Sequence, residues 1–253
     1  MSAITAAARR IVKNGCAWWV SEKEPAFWDR VENGDWEPLT FRVFDRFLDA
    51  GHPCLDIGAW IGPTCLYAAH LARHCYALEP DPVAFAGLRE NLSLNPDLAG
   101  RVTLFQQCLA PTCGAVRIGN RSSTAGGDSM SSLLFAASEV GWEAQGVSLE
   151  SFLTQNSIRD CSFIKMDIEG GEFEVLPAIA DYLARHRPTI YLSLHPRFLP
   201  CPQSRVPAVR EALSCYRHVL TPGLRAVSLD AVCDPATLQS CYELVLTDVD
   251  GSW

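Results

Sequence analysis

The feature that most constrains the fold is a regular alternation of short β-rich runs with helical runs over residues 53–194. Such alternation is typical of βαβ units, in which parallel strands form one sheet and helices cover both faces. It predicts an α/β, Rossmann-like fold with a mostly parallel central sheet. The predicted strands are PCLDIG, CYALEP, RVTLFQQCLA, SFIKMDIEG and TIYLSLHP, and the helices are TCLYAAHLARH, DPVAFAGLRENLSLN, VSLESFLTQNS and EFEVLPAIADYLARH.

The segments on either side of this alternation are predicted separately. Residues 1–50 form an N-terminal helical segment, because EPAFWDRVENG and TFRVFDRFLDAG have apolar residues at helical spacing and each ends in glycine. The first fifteen residues predict a short surface helix rather than a transit peptide. After residue 200, a helix precedes two closing strands, RHVLTP and CYELVLTD. We therefore predict one globular protein, in which the helical segment packs on a ligand-binding domain over residues 51–253.

Composition and charge narrow the classes of partner. A net charge of −8 without any Lys/Arg run argues against nucleic acid, and no apolar run approaches the roughly 20 residues of a membrane span. The 11 cysteines include no CxxC pair, which argues against a zinc ribbon or a thioredoxin-type site. They are interpreted as small buried hydrophobes in a reducing cytosol. We expect a cytoplasmic protein without a nucleic-acid or membrane partner, and a homodimer is retained as a candidate assembly.

The turn in PCLDIGAWIGPTC is the first candidate binding site. Asp56 and Gly58 lie at the carboxyl end of a predicted strand, where open α/β sheets bind their ligands. Gly58 and Gly62 allow the backbone to approach a ligand closely, and the next helix presents free N–H groups. Glu79 ends the next strand, at the separation of about 20 residues that a ribose-binding carboxylate has. The pattern predicts a cofactor that contains a nucleoside.

The large side chains in this turn help to distinguish a dinucleotide cofactor from S-adenosylmethionine. A dinucleotide-binding turn has the pattern G-x-G-x-x-G, whereas here Trp60 stands where a second glycine is expected and Pro63 opens the helix. The turn therefore disfavours a pyrophosphate and favours S-adenosylmethionine, which carries no phosphate. Two alternatives stay open, an NAD-binding oxidoreductase of the same fold class and a non-catalytic nucleoside-binding domain.

Several motifs in the same order resemble the FkbM-type S-adenosylmethionine-dependent methyltransferases, a branch of the Rossmann-like class. The resemblance covers residues 25–200. It implies methyl transfer, most often to an oxygen of a sugar, glycan or small metabolite, with S-adenosylhomocysteine as the product. The motifs are WEPLTF, LDIGAWIGPT, YALEPDPVAFAGLRENLSLN, VSLESFL, IKMDIEGGEFEVL and LSLHPRF.

The resemblance also implies a cofactor site. The glycine turn would line the methionine part, Glu79 would hold the ribose, and Cys108 and Leu109, ending the third strand, would lie near the adenine ring. Trp60 replaces an asparagine that is usual in the family and could place an aromatic face beside the cofactor. Glu37 would close over the cofactor or the substrate. The predicted cofactor-binding residues are Glu37, Asp56, Gly58, Ala59, Trp60, Gly62, Thr64, Glu79, Pro80, Asp81, Cys108 and Leu109.

The residues predicted for the chemistry end the fourth and fifth strands. Asp167 is interpreted as an acceptor-binding residue or a base, or alternatively as a cap of the next helix. Lys165 shares its strand face and either takes part or neutralises Asp167. His195 can take up a proton at neutral pH, or alternatively is a core or turn histidine. The predicted catalytic residues are Asp167, His195 and Lys165.

The acceptor site and the metal are the least constrained predictions. Glu169 and the Gly/Ser-rich loop over residues 119–132 are expected to bind the substrate, because hydroxyls and an acid suit a polyol. The loop residues assigned to this role are Asp128, Ser129 and Ser131. Asp167, Glu169 and His195 could supply metal ligands, but they follow no fixed spacing, and we assign no metal.

Overall fold

Strands alternate with helices from residue 53 onward, as the sequence predicts. The structure, a computed structural model, describes residues 7–121, 126–127 and 129–251. The strands are β1 (Ala8–Lys13), β2 (Cys16–Ser21), β3 (Pro53–Ile57), β4 (His74–Leu78), β5 (Val102–Phe105), β6 (Gln107–Leu109), β7 (Gly114–Asn120), β8 (Ser131–Ser132), β9 (Gly141–Val147), β10 (Phe163–Met166), β11 (Thr189–Leu194), β12 (His218–Leu220) and β13 (Tyr242–Thr247). The helices are α1 (Pro25–Asn33), α2 (Pro38–Phe47), α3 (Pro63–Leu71), α4 (Pro82–Ser93), α5 (Pro96–Ala99), α6 (Leu149–Gln155), α7 (Glu172–Ala178), α8 (Ala180–His186) and α9 (Pro202–Leu213).

The central sheet has the strand order β12-β13-β11-β10-β3-β4-β5. Its strands β11, β10, β3, β4 and β5 are parallel, and β13 runs antiparallel to both of its neighbours. Every residue of β3, β10 and β11 is buried, because helices cover both faces of the sheet. The predicted α/β fold with a mostly parallel sheet is confirmed.

The strand order places a crevice beside β3. From β3 the chain moves to β4 and β5 on one side, and later to β10 and β11 on the other. At such a switch point the connections leave in opposite directions, which opens a crevice at the carboxyl ends of the strands. The first residues after β3, β4, β10 and β11 are Gly58, Glu79, Asp167 and His195.

The N-terminal region differs from the prediction. Helices α1 and α2 form as expected, but β1 and β2 pair as an antiparallel hairpin with Ala8 opposite Ser21, so the helix predicted for the first fifteen residues is wrong where the chain is described. The signal was the dipeptide Asn14-Gly15, since both residues have the positive φ that a tight hairpin turn requires. Alternating burial also fits a strand, because Trp18 is buried whereas Trp19 is 45% exposed.

Two asparagines of the motif LRENLSLN attach this hairpin to the core. Asn91 accepts a hydrogen bond from the Ser21 amide (2.8 Å), and Asn95 both accepts from the Trp19 amide and donates to its carbonyl (2.7 Å each). Asn91 also donates to the carbonyl of Ile61 (2.8 Å) in the glycine turn. These buried side chains therefore have a structural role, which links the hairpin to the turn.

Two predicted elements are divided in the structure. The run RVTLFQQCLA splits into β5, in the central sheet, and β6, in a second sheet with the order β6-β9-β7-β8 that the sequence analysis did not predict. Cys108 and Leu109 therefore belong to this second sheet and do not end the third strand. The last predicted helix of the alternation divides into α7 and α8 at Ile179, two residues after Pro177.

Within the described residues, no helix is long and apolar enough to cross a membrane.

Candidate active site

A cavity lies at the carboxyl ends of β3, β4 and β10. The centre of a water-sized sphere can reach about 120 Å³ of it. Most of the predicted site residues line this one cavity. They are Glu37, Gly58, Ala59, Trp60, Thr64, Glu79, Pro80, Cys108, Leu109, Ser129, Ser131, Lys165, Asp167 and Glu169.

Other predicted residues lie behind the cavity wall or outside the described chain. Asp56 is buried and accepts a hydrogen bond from the Thr64 hydroxyl (2.6 Å). Gly62 starts α3 with a φ of +98°, so its role in the structure is to form the turn. Direct contact of these two residues with a cofactor stays a prediction. Asp128 lies outside the described residues.

Gly58 has a packing role that the sequence did not show. Its φ is +83°, and a Cβ atom placed on it would lie 1.8 Å from the carbonyl oxygen of Asp167. The absence of a side chain therefore allows the end of β3 to pack directly against the end of β10. The first atom that a side chain would meet is protein backbone, and the expectation that Gly58 also lets the backbone approach a ligand stays a prediction.

Glu79 lines the cavity with a carboxylate that is already held in place. One oxygen accepts from the Trp60 amide and the other from the Asp81 amide, both at 2.8 Å. Burial raises the pKa of Glu79 to about 7, although these two hydrogen bonds oppose the shift. Because each carboxylate oxygen has a further lone pair, Glu79 can still accept from a ligand hydroxyl. The predicted ribose contact is therefore compatible with the geometry.

Three residues of the cavity wall that are not glycine have a left-handed backbone. Glu37, Trp60 and Glu169 have φ values of +38°, +48° and +53°. Such conformations are rare for residues with a side chain, cost about 1–3 kcal/mol each, and cluster at functional sites. The indole N–H of Trp60 donates to the carbonyl of Gly127 (2.9 Å), which connects the glycine turn to the Gly/Ser-rich loop. The strain at these positions supports a functional role for this cavity.

Asp81 anchors the Gly/Ser-rich loop. One of its carboxylate oxygens caps α4 by accepting from the amides of Val83 (2.8 Å) and Ala84 (3.1 Å). The other accepts from the Gly127 amide (2.8 Å) and the Ser131 hydroxyl (2.9 Å). Asp81 is not among the residues that line the cavity, and its predicted contact with the cofactor stays a prediction. The loop then contributes Ser129 and Ser131 to the cavity wall.

Lys165 lies between two of the strand-end acids. Its ammonium group donates to the Gly58 carbonyl (2.7 Å) and lies 3.4 Å from a carboxylate oxygen of Asp56 and 4.0 Å from one of Asp167. Burial alone lowers the pKa of Lys165, but these carboxylates raise it above its usual value. The contacts favour a neutralising role over a catalytic one.

His195 and Asp167 are brought together, because they follow the neighbouring parallel strands β11 and β10. The His195 Nε2 atom lies 3.7 Å from an oxygen of Asp167 and 3.6 Å from one of Glu169, while Nδ1 lies 3.1 Å from Glu172. Burial alone lowers the pKa of the imidazole, but the charges of Glu172 and Asp167 raise it to about 10. These carboxylates favour the protonated ring, and the prediction of His195 as a base stays a prediction.

Glu172 is the main site residue that the sequence analysis missed. Its side chain is completely buried, and its two oxygens accept from the amides of Ile168 and Gly170, both at 2.9 Å, in addition to the contact with His195. The residue closes the turn after β10 and orients the imidazole. The available signal was an acid in the first turn of a helix after two glycines, a position from which a carboxylate can reach back to free amides.

Replacing Glu172 with alanine is expected to destabilise the protein. The amides of Ile168 and Gly170 would lose their acceptor, and because an unsatisfied buried donor costs about 1–3 kcal/mol, the free energy of unfolding should fall by about 2–4 kcal/mol. The control is Glu174→Ala in the same helix, which removes an exposed ion pair with Arg205 and should cost about 1 kcal/mol or less. Urea unfolding measures both, and equal losses would contradict the assigned role.

Further carboxylates around the cavity have elevated pKa values. Burial, and next the charge of Asp167, raise the pKa of both Glu37 and Glu169 to about 7. Glu243 of β13, which the sequence analysis also missed, has a pKa raised first by burial and then by Asp167. Glu37 and Glu169, which titrate near neutral pH, are suited to proton transfer, and carboxylates with shifted pKa values in one cleft are typical of a catalytic site.

The chain is similar to several methyltransferases of known structure and to one family model. Among curated proteins, none matches the chain significantly. A methyltransferase FkbM from Methylobacillus flagellatus KT is 17% identical with a TM-score of 0.49, and the alignment covers 78% of this chain and 44% of that protein. This chain thus spans less than half of its length. An RNA methyltransferase from Salinibacter ruber in complex with S-adenosyl-L-homocysteine is 12% identical with a TM-score of 0.36. The alignment covers 62% of this chain and 74% of that protein.

A third solved structure, an rRNA methylase from Streptococcus thermophilus, is 11% identical with a TM-score of 0.45, covering 84% of this chain and 95% of that one. Likenesses at these levels carry no argument about substrate. A model of the methyltransferase FkbM domain matches residues 56–217, a segment that begins at the end of β3 and includes every strand-end residue of the cavity. Because this match spans more than half of the 253 residues, the chain belongs to the FkbM methyltransferase domain family.

Proposed function

We propose that the chain is an S-adenosylmethionine-dependent methyltransferase that methylates a hydroxyl group of a sugar, glycan or small metabolite. The observation that carries the proposal is a single cavity with Glu79 at the end of β4 and Asp167 and Glu169 after β10. Membership of the methyltransferase family supports the reaction class. The carboxylates after β10 support a hydroxyl acceptor, whose proton must leave when its oxygen is methylated.

The donor set of the cavity fits S-adenosylmethionine. Glu79 can accept from the ribose hydroxyls, and Pro80, Cys108 and Leu109 offer apolar surface to the adenine. Lys165 is the single basic residue among the described residues that line the cavity, and it is occupied by protein partners. The negative charges of a pyrophosphate would therefore have no free basic side chain beside them, whereas the positive charge of S-adenosylmethionine would be attracted by the surrounding carboxylates. This argues against the NAD-binding alternative.

The residues of the chain have two tasks in the proposed reaction. When bound, S-adenosylmethionine supplies a methyl group that is activated by a positively charged sulfur. The protein must hold the acceptor hydroxyl in line with that group, which is a large part of the catalytic effect. It must also remove the hydroxyl proton, for which Asp167 and Glu169 are placed in the cavity wall. His195 lies 3.7 Å from Asp167 and 3.6 Å from Glu169, next to both carboxylates.

The direct test uses S-adenosylmethionine with an isotopically labelled methyl group and a panel of sugars, glycans, small hydroxylated metabolites and RNA. Mass spectrometry should show the labelled methyl group on an oxygen of a non-nucleic-acid acceptor. Transfer to RNA would overturn the acceptor class, and tight cofactor binding without transfer to any acceptor would favour the non-catalytic alternative. Reduction of a substrate by NADH would favour the oxidoreductase.

The net charge and the cysteines of the chain support the proposed acceptor class and the proposed cytoplasmic location. The net charge of −8 supports an acceptor other than nucleic acid, because phosphates require a basic surface. All eleven cysteines are free thiols, which supports a reducing compartment such as the cytoplasm. A homodimer stays a candidate assembly, for which sedimentation velocity is the appropriate measurement.

Glu79→Gln is expected to weaken S-adenosylmethionine binding. Since a hydrogen bond to a charged group is worth about 1.5–3 kcal/mol, Kd should rise roughly 10- to 150-fold at pH 8. Because burial raises the pKa of Glu79 to about 7, the wild-type carboxylate is largely protonated at pH 6, and the difference between the two proteins should shrink there. Calorimetry measures both values, with the exposed Glu150→Gln as the control. Unchanged affinity in folded Glu79→Gln would remove Glu79 from the ribose site.

A further inference from the structure

Two carboxylates lie on the Nε2 side of the His195 imidazole. The His195 Nε2 atom lies 3.6 Å from an oxygen of Glu169 and 3.7 Å from an oxygen of Asp167. Both separations exceed the range of a hydrogen bond. They match the distance between two ligands of one metal ion, which is about 3.0–3.8 Å for metal–ligand bonds of about 2.1–2.2 Å and angles of 90–120°.

His195 Nε2 and the Asp167 oxygen that faces it make no hydrogen bond with the described part of the chain. The side chain of His195 is only 9% exposed, and in the described part of the chain no group lies within hydrogen-bonding distance of its Nε2 atom. One oxygen of Asp167 is buried and likewise has no hydrogen-bond partner there. Buried polar atoms are almost always paired in folded proteins, so the unpaired oxygen of Asp167, which faces Nε2, points to a further ligand.

The far side of the imidazole is fixed in the way that is typical of metal-binding histidines. His195 Nδ1 lies 3.1 Å from Glu172, which is itself held by two backbone amides. The ring also stacks on Phe198 with an interplanar angle of 16°. A metal-bound histidine usually donates its second ring N–H to a carboxylate, which sets the tautomer and directs the other nitrogen at the ion.

The choice between the two glutamates follows from their contacts. One donor atom from each of Asp167, Glu172 and His195 lies within 4.8 Å of the other two. Both oxygens of Glu172, however, already accept hydrogen bonds from amides, and one of them also contacts His195 Nδ1. Glu169 reaches the Nε2 side of the ring. Glu172 is therefore assigned to orient the histidine, and Glu169 to contact the ion.

We propose that Asp167, Glu169 and His195 bind one divalent cation of the Mg²⁺/Mn²⁺ class, with Glu172 as the residue that positions His195. Two carboxylates and one imidazole suit these ions, and a double positive charge offsets the excess of acidic groups at this end of the cavity. The prediction of no metal, made because the ligands have no fixed sequence spacing, is revised by their convergence after β10 and β11.

The chemical role of the ion rests on the proposed function. A cation beside the carboxylates would bind the acceptor hydroxyl through its oxygen and would lower the pKa of that hydroxyl. Two neighbouring hydroxyls of a sugar or polyol could occupy two of the remaining coordination positions. The site therefore narrows the acceptor class to compounds with hydroxyl groups in chelating positions. Binding of the cation itself does not depend on methyl transfer.

The test is a titration of the chelator-treated full-length protein with Mn²⁺, followed by the electron paramagnetic resonance signal of the free ion. We expect one saturable site per chain, from which Mg²⁺ displaces Mn²⁺. Asp167→Asn should weaken binding at least tenfold. His195→Asn should do the same, because its amide can still donate to Glu172 from the Nδ1 position but lacks the Nε2 atom. Glu172→Gln should weaken binding about 10- to 100-fold, as loss of an orienting partner does.

Controls separate this proposal from that of methyl transfer. Asp181→Asn, on the exposed face of α8, should bind Mn²⁺ like the wild type, and circular dichroism should show that each variant is folded. The titration contains neither cofactor nor acceptor, so a chain that binds Mn²⁺ here without transferring methyl groups upholds the metal site alone. Absence of saturable binding, or binding that both Asp167→Asn and His195→Asn retain, would overturn the proposal.

Discussion

Asp167→Asn is expected to lower the turnover number about 100- to 10,000-fold, the range that a positioned acid or base contributes. The substitution keeps the shape of the side chain and removes its charge at the point where the cavity, His195 and Lys165 meet. The same loss is expected if Asp167 takes the proton or holds a cation that activates the hydroxyl. Affinity for S-adenosylmethionine should change much less, because Glu79 and the apolar wall on the β4 side are untouched.

Single-turnover kinetics with a labelled methyl group, combined with calorimetry of cofactor binding, measure the two effects separately. The exposed Asp181→Asn controls for the loss of one negative charge from the protein. A loss of turnover below tenfold would show that the enzyme works by positioning alone and would remove Asp167 from the chemistry. A parallel loss of cofactor affinity would place Asp167 in the cofactor site instead.

Gly58→Ala is expected to lower the free energy of unfolding by about 4 kcal/mol or more, as the combined cost of a left-handed non-glycine residue and an overpacked core. The added Cβ atom would lie 1.8 Å from the Asp167 carbonyl oxygen, so β3 and β10 would have to separate at the cavity. Because Asp167 would move with the end of β10, turnover should be lost even in the fraction that remains folded.

The matched control for this substitution is Gly100→Ala. Gly100 has a right-handed backbone, with φ −75°, and a Cβ atom there would meet nothing within 4 Å. The free energy of unfolding of Gly100→Ala should therefore remain within about 0.5 kcal/mol of the wild-type value, as for most surface substitutions. Chemical denaturation gives both values. If Gly58→Ala were as stable as Gly100→Ala and lost only cofactor binding, the original interpretation of Gly58 as space for a ligand would be correct.

The motif IKMDIEGGE shows how one short segment combines unlike tasks. Lys165 neutralises two acids, Asp167 faces the cavity, Glu169 adopts a strained backbone beside it, and Glu172 is buried behind it. Alternation along a strand predicts the shared face of the first two. It does not apply beyond Met166, because β10 ends there and the chain turns into α7.

The local pattern of the sequence was sufficient for the α/β class and for most of the cavity wall. Strand periodicity and the βα order determine that Gly58, Glu79, Asp167 and His195 end buried strands. Parallel strands of one sheet then bring those ends to one edge whatever their separation along the chain. The Asn14-Gly15 hairpin was also encoded locally, and was missed because the flanking residues were assigned to a helix.

Tertiary structure alone decided which of these groups touch. Sequence spacing does not show that a Cβ on Gly58 would strike Asp167, that Asp81 would be occupied by Gly127 and Ser131 (46 and 50 residues away), or that Glu172 would hold His195. Such contacts depend on strand register and on where each strand ends, and both are set by packing of the whole sheet. A carboxylate takes its role from its surroundings, because burial and neighbouring charges determine its pKa and its partners. The residue types at the site could therefore be predicted from the sequence, whereas their division into cofactor, structural and proposed metal-binding roles required the fold.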